Sequence, residues 1–326
     1  MEDLGRRMTL TQPPVPASAV EPDAGSPDDP TRASSAPTRR VVRAPLAAAA
    51  FLAPAVVLVA LLLVAPFVFT IYRSFFDDNG FTRTWADIDN YTAMFADPAF
   101  GQSVLNTFFW VVGTLLLPVG LGLAIAVGTW KLKLGALARF AVILPYAISG
   151  SATAVVWTFM LSTDGGLDTL LRLLGLDPLV SQWLLQWPLN TVMMIIATTW
   201  QATGACVILF LIGLQSIPPS TLEAAQLDGA SGWRLFWAVT FPQLRPMTIV
   251  VVGISIVGSL KVFDQVLLLT NGGPGTASET LALTMYRETF TLSRYGSGAA
   301  VAVFLTVVVV AASWAYLRRQ LRPAQS

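Results

Sequence analysis

Six apolar stretches, each close to the roughly 20 residues needed to cross the hydrocarbon core of a bilayer, divide this chain. They run from about Leu46 to Ile71, Val104 to Thr129, Phe140 to Leu161, Leu189 to Leu214, Met247 to Leu269 and Gly298 to Tyr316. Pro54 and Pro66 interrupt the first, and the fifth contains Lys261 and Asp264. Lipid offers the backbone no hydrogen-bond partners, so each stretch must close its own bonds as a helix. The expected fold class is an all-α integral membrane protein with six transmembrane helices. Composition agrees. Only 12% of the 326 residues are charged, against about 25% in soluble domains.

Several function classes drop out. The formal net charge is +1, which gives no bulk attraction to nucleic acid. The chain has no histidine and one cysteine, Cys206. His/Cys zinc sites, disulfides and Cys–His nucleophiles are therefore excluded. Cys206 lies in an apolar run and reads as a small hydrophobe. No Gly-x-x-x-x-Gly-Lys-Ser/Thr loop occurs, so any ATP that drives this protein is bound and hydrolysed by another chain. No cofactor is expected.

Residues 1–44 differ from the rest. They are rich in Pro, Ser, Ala and charge, without apolar periodicity, and end in a basic collar at 38–43. This segment is expected to be a disordered cytoplasmic tail, with the membrane domain spanning 45–326. Lys and Arg counted on alternate sides of the spans number 14 against 5. The richer side holds both termini and the loop 218–246, which places them in the cytoplasm of a multi-pass protein.

That loop is the most ordered polar signal in the chain. Pro218 and Pro219 stop the fourth helix. Ser220 with Glu223 reads as a capping box opening a short helix, and Ala224 and Ala225 favour helix and leave a smooth face. Gly229 suits the left-handed position that ends it. A second helix is expected from about Gly232, with Trp233, Phe236, Trp237 and Val239 as an apolar stripe, closed by Pro242 and Pro246. Taken singly, Glu223 reads equally as a cap and Gly229 as a plain turn.

Taken together, Glu-Ala-Ala at 223–225, Asp-Gly-Ala at 228–230, Phe236, Pro242, Leu244 and Pro246 resemble the signature loop of ABC importer permeases. The resemblance implies a coupling helix that docks on a cytoplasmic ATPase. It assigns the ATPase-coupling role to Glu223, Ala224, Ala225, Asp228 and Gly229, with Glu223 pairing to the ATPase and Gly229 making the bend. Further matches narrow the subfamily to the first-type permease of maltose-type carbohydrate uptake systems. They include Asp-Asn-Tyr at 89–91, Asn-Thr at 106–107, Phe-Asp-Gln at 263–265, Leu-Thr-Asn-Gly-Gly-Pro-Gly at 269–275 and Thr280. The partners implied are two ATPase subunits, a second homologous permease and an extracellular or periplasmic sugar-binding protein, in a bacterial inner membrane.

Polar residues inside spans are costly and often functional. Neutral sugars need hydrogen-bonding groups and an aromatic face. Trp200, Gln201, Thr203, Ser259, Asp264 and Gln265 are the substrate-path candidates. A packing reading stands beside this one: Ser255 and Ser259, four apart, allow close helix approach, and Lys261 and Asp264 could neutralise each other. The alternative function is an ion-coupled secondary transporter with Asp264 in the ion path. An intramembrane enzyme would need a convergent acid/base pair or metal cluster, and none is legible.

Overall fold

A computed structural model describes residues 45–132 and 135–321. The tail expected over 1–44 lies outside them. The main compact unit begins at Ala55.

The six-span reading holds, with two spans broken. Four helices are long and apolar enough to cross a membrane: α1 Ala49–Arg73, α3 Pro98–Thr129, α7 Leu189–Gln215 and α13 Tyr295–Arg318. Between α1 and α3 lie a two-stranded ribbon, β1 Phe76–Asp78 and β2 Arg83–Trp85, and the short helix α2 Asp89–Ala96. The remaining helices are α4 Gly135–Ala147, α5 Gly150–Leu161, α6 Gly166–Leu173, α8 Pro219–Leu227, α9 Gly232–Gln243, α10 Arg245–Leu260, α11 Asp264–Thr270 and α12 Leu281–Tyr286.

The third span is the pair α4 and α5, bent by 100°. Pro145 leads the last turn of α4. Ile148 is extended, and the Ser149 side chain then caps α5 by accepting from the Ala152 amide. The fifth span, expected as one helix to Leu269, ends at Leu260. Lys261–Phe263 are non-helical, and the freed Val262 carbonyl accepts a hydrogen bond from Thr280 Oγ1 at 3.0 Å. Irregular backbone at this depth is tolerated only where protein or a cavity receives its polar groups.

Three of the four π turns among the described residues adjoin a proline: Ala60–Val64 before Pro66, Leu115–Val119 over Pro118, and Phe236–Thr240 before Pro242. Proline cannot donate to the carbonyl four residues back, and its ring crowds that carbonyl. A widened turn relieves both without ending the helix. Hence Pro242 does not close the loop's second helix. That helix runs on to Gln243, and the chain turns by 71° into α10 at Leu244.

α7 is the axle of the bundle. Its 27 residues span about 40 Å at 1.5 Å per residue, and it packs against α3, α4, α5, α10 and α11. Small residues allow the closest approach. A Cβ on Gly122 of α3 would collide with the Cβ of Cys206, so Cys206, only 6% exposed, is the small hydrophobe its context implied.

The ribbon departs from the all-helical expectation, and Asn79-Gly80 at its tip is a recognisable hairpin signal. Asp78, although in the acidic loop, is buried between Arg73 and Arg83, at 2.7 and 2.9 Å. Burial alone would raise its pKa. The Gly80 amide and the two guanidiniums outweigh that and hold the carboxyl below the usual range.

The turn from Asn271 to Thr280 folds back onto the end of the bundle where α7 begins. Asn106 of α3, fully buried, donates to the Ala277 and Glu279 carbonyls at 2.8 and 2.9 Å. Its Oδ1 accepts from Trp187 Nε1 at 2.9 Å. Thr107 Oγ1 accepts from the Leu281 amide, and Asn190 donates to the Gly273 carbonyl. Glu279 lies 2.7 Å from Arg287. Its burial pushes the carboxyl pKa up, against the opposing pull of Arg287.

Candidate functional site

Two features stand out, one at an end of the bundle and one within it. The first is the hairpin of α8 and α9. Pro219, not Ser220, opens α8, and the N-cap position is Pro218 with no side-chain cap. The expected capping box is therefore absent. Proline at the first helical position already has the right φ and wastes no donor, which leaves Ser220 inside the first turn. The end of α8 follows expectation. Gly229 has φ +83°, its amide donates to the Gln226 carbonyl, and the Ala230 amide reaches back to Ala225. This pair of bonds is a Schellman closure, and it requires a left-handed residue.

Anchorage and exposure divide the hairpin cleanly. Leu222 packs with Val127, Trp130, Leu214 and Leu244 at the foot of the bundle. Glu223, Ala224, Asp228 and Gly229 are exposed, and Ala225 is half-buried. Glu223 makes no ion pair among the described residues. Leu227, which sequence reading passed over, is 89% exposed at the tip. An apolar residue directly before Asp-Gly was its signal. On α9 the aromatic stripe is real: Trp237 lies 5.0 Å from Phe236 and 4.9 Å from Phe241, ring centre to ring centre.

The second feature is a cavity of about 420 Å³ between α3, α7 and α10, beneath the break at Lys261–Phe263. Ser259, Asp264 and Gln265 line it, with Ser255 and Lys261. So do Trp110, Tyr146 and Thr198. Trp110 is 1% exposed, and its Nε1 has no hydrogen-bond partner among the described residues; nor has Thr198 Oγ1. A buried polar atom without a partner costs about 1–3 kcal/mol, and both atoms are closed off from solvent in this conformation. Ser259 bonds its own helix at the Ile256 carbonyl, 3.0 Å away. Lys261 and Asp264 form no ion pair with each other, because the chain between them is not helical and the i, i+3 geometry is lost.

The three candidates on α7 are placed elsewhere. Trp200 stands edge-on to Trp157 at 6.3 Å. Gln201 donates to the Ile148 carbonyl and holds the break between α4 and α5. Thr203 is 4% exposed and bonds back to Thr199. Thr198 is the hydroxyl-bearing α7 residue that lines the cavity. Trp110 gave no sequence signal, because an indole in an apolar run reads as core.

This architecture has known counterparts. The family model for binding-protein-dependent transport system inner membrane components matches residues 117–323. The chain is 32% identical over 276 residues to the osmoprotective compounds uptake permease protein GgtC of Synechocystis, covering 82% of this chain and 97% of that protein. It is 32% identical over 265 residues to the lactose transport system permease protein LacF of Rhizobium radiobacter, covering 80% and 89%. It is 33% identical over 269 residues to the sn-glycerol-3-phosphate transport system permease protein UgpA of Brucella suis, also covering 80% and 89%. The fold matches a bacterial ABC transporter involved in import of the acidic polysaccharide alginate, with a TM-score of 0.75 over 86% of this chain and 96% of that one, at 23% identity. With a matched domain over more than half its length and full-length relatives of this kind, the chain belongs to the binding-protein-dependent transport system inner membrane components, the permease subunits of ABC importers.

Proposed function

We propose that this permease carries a hydroxyl-rich carbohydrate through the cavity under the α10–α11 break, and that the α8–α9 hairpin couples the passage to ATP hydrolysis on other chains. In this reading the hairpin and both termini are cytoplasmic. Two ATPase subunits close on ATP, and Glu223, Ala224, Ala225, Asp228 and Gly229 form the docking face. A second homologous permease completes the pore, and an external binding protein delivers the solute. The bundle then alternates between outward- and inward-facing states. The chain does no chemistry itself. Asp264 is a cavity wall group and not part of an ion path.

The observation that carries the solute assignment is the set of polar side chains lining the cavity: Ser255, Ser259 and Gln265, with Trp110 and Thr198, whose Nε1 and Oγ1 are buried without a partner among the described residues. Sugars present many hydroxyls in fixed positions and suit such a wall. The lactose and glycerol-phosphate names of relatives point the same way.

The test is uptake by the complete transporter in proteoliposomes. Trp110→Phe and Thr198→Val each remove a hydrogen bond worth about 0.5–1.5 kcal/mol. Each should raise the solute concentration for half-maximal uptake by about three- to tenfold while ATP hydrolysis stimulated by the binding protein persists. Unchanged uptake in both variants would remove the cavity from the path.

A further inference from the structure

The third and fourth spans are joined by the stretch 162–188, which contains α6. On a helical projection Leu170, Leu173 and Leu174 fall on one side of α6, and Asp168 and Arg172 on the other. Asp168 points into the protein. It is 1% exposed and accepts from Trp183 Nε1 at 2.6 Å and from the Asp164 amide. The leucines point away: Leu173 is 80% exposed and Leu174 64%. Leu176 and Leu179, in the turns that follow, are exposed as well. No described residue covers it.

We infer that α6 lies in the bilayer interface at the end of the bundle opposite the hairpin, with its leucine face in the acyl–headgroup boundary. Three observations select lipid as the occupant. First, α6 packs against α5, whose own outer residues Val155, Val156 and Phe159 are exposed as part of a membrane span. The leucine patch thus continues a lipid-facing surface. Second, the chain leaves α5 at Leu161 and must return to α7 at Leu189, so α6 is held at the level of those span ends. Trp183 and Trp187 in the same stretch are the residue type that favours headgroups. Third, the patch consists of leucine alone. Protein interfaces concentrate their binding energy in Trp, Tyr and Arg, with leucine under-represented. A binding protein that docks and leaves would also return this face to water in every cycle, whereas lipid covers it permanently. Asp168 supplies the inward peg and Arg172, paired to Asp164 at 2.7 Å, the water-facing edge, as an interfacial helix requires.

The test uses nitroxide labels on the assembled transporter in vesicles of phosphatidylethanolamine and phosphatidylglycerol. Cys206→Ala removes the native thiol, and labels go on Leu170→Cys, Leu173→Cys and, as the water-side control, Arg172→Cys. Oxygen concentrates in lipid and a nickel chelate stays in water. The oxygen-to-nickel collision ratio should be several-fold higher at 170 and 173 than at 172. Two results would overturn the assignment: a nickel-dominated ratio at 170 and 173, which means water, or shielding of both sites from both reagents, which means a covering protein. Neither result depends on which solute is carried or on how ATP is coupled.

Discussion

Gly229→Val is expected to leave the chain inserted and folded while cutting ATPase docking and uptake by about tenfold or more. Gly229 sits at φ +83°, and its missing side chain has open space around it, with no heavy atom within 4 Å of where a Cβ would stand. The cost of substitution is therefore conformational and not steric. A left-handed backbone costs a non-glycine residue about 1–2 kcal/mol, and a β-branched residue is a true outlier there. Each 1.4 kcal/mol is tenfold in an equilibrium. The hairpin would relax toward other turns, and the docking-competent population would fall by that factor. A series separates this cause from others. Asparagine tolerates the left-handed region and should retain most uptake, alanine should be intermediate and valine lowest. The readouts are uptake in vesicles and co-purification of the ATPase at matched membrane levels. Equal activity of the valine and asparagine variants would show that the bend itself does not matter.

The second large effect concerns stability. Asn106→Ala removes a fully buried side chain that bonds the Ala277 and Glu279 carbonyls and Trp187 Nε1. Three groups lose a partner at once, at about 1–3 kcal/mol each, so a loss of roughly 3–9 kcal/mol is expected against a total stability of about 5–15 kcal/mol. The turn 271–280 would detach from α3, and the Val262 carbonyl at the helix break depends on Thr280 from that same turn. The purified chain should show a strongly lowered Tm. The control Gln102→Ala removes only a peripheral bond to Asn106, at 3.2 Å, and should shift Tm little. Equal Tm for wild type and Asn106→Ala would mean that the turn is held by other contacts.

Apolar length located all six spans, because the bilayer dictates it. It could not locate the breaks. Lys261-Val262-Phe263 looks no worse than other helical residues, and only the tertiary bond from Thr280, 18 residues on, makes the gap affordable. Pro145 lies at the other break, but a proline in a span is often absorbed, as Pro66 and Pro118 show by widening a turn. The hairpin was legible in its end, since only glycine suits φ +83°, and misread at its start, where Pro219 displaced the Ser220 cap. The cavity was legible in α10 and α11 through polar residues in apolar context. On α7 the sequence pointed to Trp200, Gln201 and Thr203, yet helical phase decided which residue lines the cavity. Thr198 does, while Trp200, Gln201 and Thr203 serve packing and the α4–α5 break. Asn106 and Thr107 matched the family pattern with no stated purpose, and the structure supplies one: they tie the 271–280 turn to the bundle.

The central claim is mechanical: an exposed tip at Leu227 and Glu223 receives force from an ATPase on the cytoplasmic side. Cys206 is buried, so Leu227→Cys introduces a single reachable thiol at that tip. In native membranes containing the whole transporter, a short bifunctional thiol reagent should join position 227 to the ATPase subunit, with a yield that changes when ATP is bound. A membrane-impermeant reagent added outside intact cells should not reach it. Labelling of position 227 from outside, or a tip that never crosslinks to the ATPase in any nucleotide state, would contradict the account.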